Sequence, residues 1–467
     1  MTLDDLRRWL VPRVVLPVGA RLGQRMWTEA RRLDRLQWRS SQEIEALSME
    51  RLRRVVAHAG EHVPFYRERL DRCGVRAGDL RSRADLWRLP VVTKAELRSR
   101  FPEGTTADDL PAERRQPMAT SGSTGMPFEF YWDRAAGDLV RGAYLFSLAW
   151  AGVAVTDARI VIASPSYFYN HVAPASRFRR LAGRLVLGEE SVSLSADTLT
   201  TARFRALVSE VCGRKRYFIR GYPAPIARLA ARLLEEGGAL AGYPEVVITF
   251  AETLTPANAA TIAEALRCRA VNYYSSWEVP QMAQSCPDNP GVLHVNSDRV
   301  ILRVVREDGT DAAPGETGRV VVTDLANHVM PFINYGNGDR AVAGEPCPCG
   351  RGLPTLARLE GRDAEVLRNP QGREVNGVVL GQFLAFVAGV IPYVLEYQAV
   401  QAAPDSVRLQ VVPTARFSTA FAGKLRAELE EFLGPGVTVA VEPVDHIPLE
   451  ASGKRLIVKQ LATPAPV

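Results

Sequence analysis

The 467 residues are enough for two or three domains, and 46% hydrophobic with 24% charged residues is the balance of an ordinary soluble globular chain. The net charge of +6 is small for this length. The basic residues are dispersed, with no basic stripe interleaved with aromatics, which argues against nucleic acid as a partner. Only five of the 58 basic residues are lysines: Lys94, Lys215, Lys424, Lys454 and Lys459. In so arginine-rich a chain, a lysine draws attention as a place where an ammonium could be needed rather than a guanidinium. No run reaches the ~18 apolar residues of a membrane span. Arg and Pro interrupt the apolar N-terminal run, so no cleavable signal is evident, and a reducing cytoplasm without disulfides is expected.

In chain order, residues 1–40 read as helical and Arg-rich around "WLVPRVVLPVGARLG". Two readings stand: an amphipathic segment in weak contact with an anionic membrane, or a helix packed on the body of the protein. Residues 44–74 carry apolar residues at three- and four-residue spacing, predicting an amphipathic helical region broken near Val63-Pro64. Residues 1–75 are thus a helical extension. "PMATSGSTGMPFEFYWD" follows at 117–133, with six small residues, Thr120 to Gly125, ahead of a strand-like aromatic run. It is no Walker loop, because G-x-x-x-x-G-K-[ST] is absent. It reads either as a linker or as a concavity of N–H groups and hydroxyls that holds an anion.

From 158 onward, short apolar runs ("ARIVIASPS", "YFIRGYP", "EVVITFAE", "AVNYYSS") alternate with helical stretches at 223–237 and 256–267. This predicts an α/β domain with a largely parallel sheet. Residues 299–325 predict a strand pair. After Gly361-Arg362 the tail predicts strands near 363–375 and 395–412, a helix near 415–433 and a strand near 436–444. The expected architecture is a large α/β domain over 1–361, with mixed sheets and helices, and a small mobile α+β domain over 362–467.

Four further stretches stand in order behind the Ser/Thr/Gly loop: Tyr274-Ser275-Ser276-Trp277-Glu278, Tyr335-Gly336-Asn337-Gly338-Asp339, Gly361-Arg362 and Ser452-Gly453-Lys454. With them the chain resembles the ANL superfamily of AMP-forming adenylating enzymes. "LRRVVAHAGEHVPFYRERL", "LPVVTKAELR", "GYPAPIARLA" and "CPCGRGLP" look like its phenylacetate–CoA ligase and CapK-like branch. The resemblance implies that Thr120, Ser121, Gly122, Ser123, Thr124 and Gly125 wrap the β- and γ-phosphates of ATP. It implies that Tyr274 stacks on adenine, Glu278 holds Mg²⁺, Asp339 accepts the ribose hydroxyls and Arg362 lies at the hinge, with Lys454 carried in on the small domain. Tyr167, Phe168 and His171, with Trp277, are expected to border the acyl pocket.

The chain departs from the family at three places. Neither Met126 nor Phe128 is the lysine that commonly follows the loop, Trp277 stands where a small residue is common, and Ala364 stands where a hinge Asp is expected. The cysteines add a separate signal. Cys347 and Cys349 on one loop, with Cys286 and His294 on another, make a Cys₃His set of the kind that holds a structural Zn²⁺; ordinary buried thiols beside a surface His are the alternative. The expected function is ATP- and Mg²⁺-dependent activation of a carboxylic acid to an acyl-adenylate, then transfer to a thiol, coenzyme A above all, or to an amine. Adenylyl transfer without a thioester, or a catalytically silent scaffold subunit, are the alternatives, and homodimerisation is left open.

Overall fold

The computed structural model describes residues 6, 9–21, 25–120, 128–163, 191–195, 199–212, 216–362, 365–384, 388–390, 392–448 and 456–460. Of these, residues within Met1–Arg159, Pro174–Ser191 and Val271–Leu359 form one compact unit. Those within Ile160–Ala173, Val192–Ala270 and Glu360–Val467 form the other.

The first unit begins with helices. The helix Ser41–His62 opens with a capping box in which Ser40 and Glu43 satisfy each other's backbone N–H groups. It stops at Val63, held extended because the following proline crowds the helical conformation, and Pro64 then starts the helix Pro64–Cys73. The break expected near Val63-Pro64 is therefore present. Met49, Leu52, Val55, Val56 and Ala59 face inward and join the main core. The helix Arg25–Leu36 crosses the helix Gly137–Trp150 at Gly142, where a Cβ would meet Glu29 Cβ at 2.5 Å. Ahead of it Trp9, Val14 and Val18 stay exposed. No helix among the described residues is long and apolar enough to cross a membrane.

Strand β1 (Arg115–Thr120) pairs antiparallel with β2 (Phe128–Asp133), and the last rung is Thr120 opposite Phe128. In the second unit β3 (Ala158–Ala163), β4 (Ser191–Ser195), β5 (Tyr217–Gly221) and β6 (Val247–Thr249) lie in the order β6-β5-β3-β4. The helices Pro223–Glu236 and Pro256–Leu266 follow β5 and β6, and β5 pairs with β6 in parallel.

The parallel pattern ends there. The first unit's sheet runs β10-β11-β12-β13-β9-β8-β7, built from β7 (Ala270–Tyr274), β8 (Ala283–Ser285), β9 (Leu293–Val295), β10 (Val300–Val305), β11 (Thr317–Asp324), β12 (Tyr335–Ala343) and β13 (Thr355–Arg362). Its pairs β7/β8, β8/β9, β9/β13, β10/β11 and β11/β12 are antiparallel. The parallel pairing expected of the runs from 158 is present at β5/β6, and the strand pair expected over 299–325 is the antiparallel pair β10/β11. The loops after β7 and β8 are too short for the crossover that a parallel neighbour requires.

In the tail, β14 (Val366–Arg368) pairs with β15 (Glu374–Asn376), and a four-stranded sheet runs β18-β17-β16-β19. Its members are β16 (Val394–Ala403), β17 (Ser406–Pro413), β18 (Thr438–Pro443) and β19 (Val458–Gln460). Over 395–412, where strands are expected, the chain forms a hairpin, with Ala403 opposite Ser406 across Pro404-Asp405. The helix Thr419–Leu433 covers this sheet with Phe421, Leu425, Leu429 and Leu433.

Candidate active site

The segment after β7 is held by its own serines. Ser275 Oγ accepts from the N–H of Gln281 at 3.1 Å, and Ser276 Oγ accepts from the N–H of Val279 at 3.0 Å. The N–H of Met282 returns to the carbonyl of Tyr274 at 2.9 Å. Inside this closed turn Glu278 is 5% exposed. A buried carboxylate needs partners. The Tyr335 hydroxyl donates to its Oε1 at 3.2 Å, and the Lys94 ammonium lies 2.7 Å from the same oxygen.

Lys94 arrives from far along the chain. Val92 donates to Asn334 and accepts from Gly336, so the segment before Lys94 is laid against the start of β12. A Cβ at Gly336 would come within 3.1 Å of Val91 Cγ1, so the glycine permits this close approach. Thr93 then caps the short helix Lys94–Arg100 in a box with Glu96. The Lys94 ammonium also sits 5.4 Å above the ring of Phe128, at the rung from which the Ser/Thr/Gly segment departs. The stretch "LPVVTKAELR" marked a family likeness, and its chemistry at this site was missed. The scarcity of lysine was the signal that could have found it.

A second triad adjoins the first through β12. The Tyr274 hydroxyl donates to Asp339 Oδ2 at 2.7 Å. Asn337 Nδ2 donates to the same oxygen at 2.8 Å and to the Tyr274 hydroxyl at 2.7 Å. The N–H of Asp339 closes the loop on Asn337 Oδ1 at 3.1 Å, and Gly338 takes φ +80°, a left-handed conformation that suits glycine. These bonds fix the carboxylate of Asp339. Asn337 is a further residue that the sequence reading passed over. Trp277 is half-buried against the main core. Its carbonyl accepts from Trp132 Nε1 at 2.7 Å, and the two rings lie 6.2 Å apart.

The third cluster is sulfur-rich. Cys286, His294, Cys347 and Cys349 each turn one ligand atom to a common point, all within 4.8 Å of one another. Cys347 Sγ and Cys286 Sγ are 3.9 Å apart, and Cys349 Sγ is 3.4 Å from His294 Nε2. A Zn²⁺ tetrahedron with ~2.3 Å Zn–S and ~2.0 Å Zn–N bonds has S–S edges of about 3.8 Å and S–N edges of about 3.5 Å. The four residues fit that shell. His294 Nδ1 lies 3.3 Å from the carbonyl of Leu353. A carbonyl only accepts, so Nδ1 carries the proton and Nε2 faces the thiols with its lone pair. Burial holds the His294 imidazole below its usual range and pushes the Cys286 thiol up to about 11. At Cys349 burial acts in the same upward direction, but the N–H and guanidinium of Arg351 outweigh it and draw the thiol down.

Thr120 closes β1 and Arg362 closes β13. Ser121, Gly122, Ser123, Thr124, Gly125, Met126, Tyr167, Phe168, His171, Ala364 and Lys454 lie outside the described residues.

No family model matches the chain. It is 28% identical over 334 residues to a phenylacetate–coenzyme A ligase of Thermus thermophilus, covering 70% of this chain and 72% of that one. It is 23% identical over 381 residues to the protein CapK of Staphylococcus aureus, covering 80% and 79%. Its fold matches 2-hydroxyisobutyryl-CoA ligase in the postadenylation state, with a TM-score of 0.74 at 21% identity over 91% of each chain. Five motifs thus stand in the superfamily's order, two of them meeting at β12, and the chain is similar in sequence to the phenylacetate–CoA ligases and CapK and in fold to an acyl-CoA ligase.

Proposed function

We propose that the protein joins a carboxylic acid to ATP as an acyl-adenylate and then transfers the acyl group to coenzyme A. A carboxylate oxygen attacks the α-phosphorus and pyrophosphate leaves. The thiol sulfur then attacks the acyl carbon and AMP leaves. The observation that carries this reading is the meeting of Tyr274, Asn337 and Asp339 with Glu278, Tyr335 and Lys94 along β12. Tyr274 and Asp339 suit a nucleoside, with Asp339 toward the ribose and the tyrosine ring toward the base. Glu278 suits Mg²⁺, a hard cation that prefers oxygen ligands.

Thr120 to Gly125 would hold the β- and γ-phosphates through backbone N–H groups and hydroxyls. Lys454 would stabilise charge as pyrophosphate departs. It would enter on residues 362–467, which have their own hydrophobic core and would pivot near Arg362. Trp277 with Tyr167, Phe168 and His171 would border the acyl pocket, favouring an aromatic or otherwise bulky apolar acid. The Cys286, His294, Cys347 and Cys349 set would hold a structural Zn²⁺, with the ion tying the β8–β9 turn to the loop before β13.

Pyrophosphate exchange across a panel of acids tests the first half-reaction, and AMP release with and without coenzyme A tests the second. Exchange with at least one acid, lost in Lys454→Ala, is expected. No exchange with any acid, no thermal shift with saturating MgATP and no effect of Lys454→Ala would sink the reading. Exchange without any response to coenzyme A would favour transfer to another acceptor, an outcome given weight by the likeness to CapK.

A further inference from the structure

We propose that the ammonium of Lys94 binds the β- and γ-phosphates of the incoming nucleotide. It would replace, through the fold, the lysine absent from positions 126 and 128 of the sequence. This rests on the adenylation reading and names a phosphate ligand for that same site.

Three observations carry it. The first is position. The phosphate segment leaves β1 at Thr120 and returns at Phe128, which are paired across one rung, and the Lys94 ammonium stands over the Phe128 ring at that rung. The second is accessibility with anchoring. The Lys94 side chain keeps 33% of its surface, while Glu278, at 6%, holds it from the inner side. An ammonium has three N–H donors, and one carboxylate oxygen needs only one of them.

The third observation is residue choice. Among the described ion pairs, the buried carboxylates Asp133, Asp298, Asp324 and Glu396 are each matched by arginine. Glu278 alone among them is matched by lysine. In a chain with 58 basic residues and five lysines, a purely structural partner for Glu278 would be expected to be another arginine. A guanidinium fork would also lock onto a carboxylate in two-point contact. An ammonium is a compact point charge that can exchange one oxygen for another at little geometric cost. Before nucleotide arrives, Lys94 neutralises the buried Glu278. With magnesium nucleotide bound, Glu278 would be the residue that holds the metal and Lys94 the one that holds the phosphate oxygens. The pair thus keeps the site neutral when empty and supplies one anionic and one cationic arm when filled.

Direct binding to Lys94→Met tests this, with MgATP, magnesium pyrophosphate and AMP as separate probes by calorimetry. AMP lacks both outer phosphates. Loss of one charge-assisted contact should weaken MgATP and magnesium pyrophosphate by about tenfold or more. AMP affinity should be unchanged. In turnover, KM for ATP should rise while KM for the acid stays put. Lys94→Gln removes the charge but keeps a hydrogen bond to Glu278, and it gives the same comparison if the methionine variant does not fold. Equal weakening of AMP and pyrophosphate would make Lys94 a structural prop for Glu278 and overturn the assignment. Unchanged pyrophosphate affinity would overturn it too. If the wild-type protein binds neither MgATP nor pyrophosphate, the adenylation reading itself falls; if it binds both and the variants match it, only the Lys94 assignment falls.

Discussion

Around Glu278 the protein supplies its own partners, whereas around Cys349 it turns four ligand atoms toward one another. Glu278 has a hydroxyl and an ammonium on one oxygen, so the site is electrostatically settled without any ligand. The thiols of Cys286 and Cys347 face each other at 3.9 Å, with a bare imidazole nitrogen 3.4 Å from Cys349. Thiols are weak hydrogen-bond donors and acceptors, and such contacts give little in return for burying them. The first arrangement suits a ligand that comes and goes; the second suits an ion that stays. Both lie in the first unit and both draw on the antiparallel strands that follow β7.

The largest expected effect separates these roles. Because a structural ion binds the folded chain far more tightly than the unfolded one, its affinity adds to stability. Purified protein should carry about one zinc per chain, and Cys347→Ser should lose it and melt on the order of 10 °C lower. Elemental analysis and thermal unfolding followed by circular dichroism read both. Metal-free protein with an unchanged melt in the variant would make these ordinary thiols. Glu278→Gln should behave in the opposite way. It keeps the shape of the turn and should change melting little, but pyrophosphate exchange should fall by about 10²-fold with a raised Mg²⁺ requirement. An unaltered Mg²⁺ dependence in that variant would remove Glu278 from the metal role.

Both clusters are partly legible in the sequence, for different reasons. Cys347-Pro348-Cys349 is local, and adding Cys286 and His294 needed only the chemistry of zinc ligands; the β9/β13 pairing then puts His294 beside the loop before Thr355. Glu278 was legible through its motif, but its partners were not. Lys94 reaches it only because Val92 bridges to β12, and Tyr335 only because β12 begins where that bridge forms. Pairing between strands distant in sequence leaves no periodic trace. The same limit explains the sheet. Alternating strands and helices up to β6 carry a parallel signature, while the short apolar runs after β7 resemble any buried strand, and only the length of the connections separates the two cases. Asn337 was hidden because an asparagine between glycines reads as a turn, although here it ties Tyr274 to Asp339.

A third cluster sharpens the contrast at the smallest scale. His58, His62 and Asp109 also converge, with each imidazole Nε2 3.8 Å from the Asp109 carboxylate. Unlike His294, His58 already spends Nε2 on a protein acceptor, the carbonyl of His328 at 3.1 Å, and His62 Nδ1 faces Asp108 at 3.1 Å. This cluster is internally satisfied, so His58→Gln should leave the metal content unchanged. What it should show instead is a pH effect. Burial, the main cause, holds the His58 imidazole below its ordinary value of 6.5, helped by the neighbouring His62 and His328 and opposed by the His328 carbonyl and Asp109. The folded protein therefore binds the proton more weakly than the unfolded chain. The stabilising contribution of neutral His58 is present above pH 6.5 and is lost as the pH falls from there through the lower folded-state value. Melting temperature should drop on acidification from pH 7 to pH 5, and His58→Gln should remove roughly 1–2 °C of that drop. An identical pH slope in wild type and variant would show that the His58 proton does not distinguish the folded from the unfolded chain.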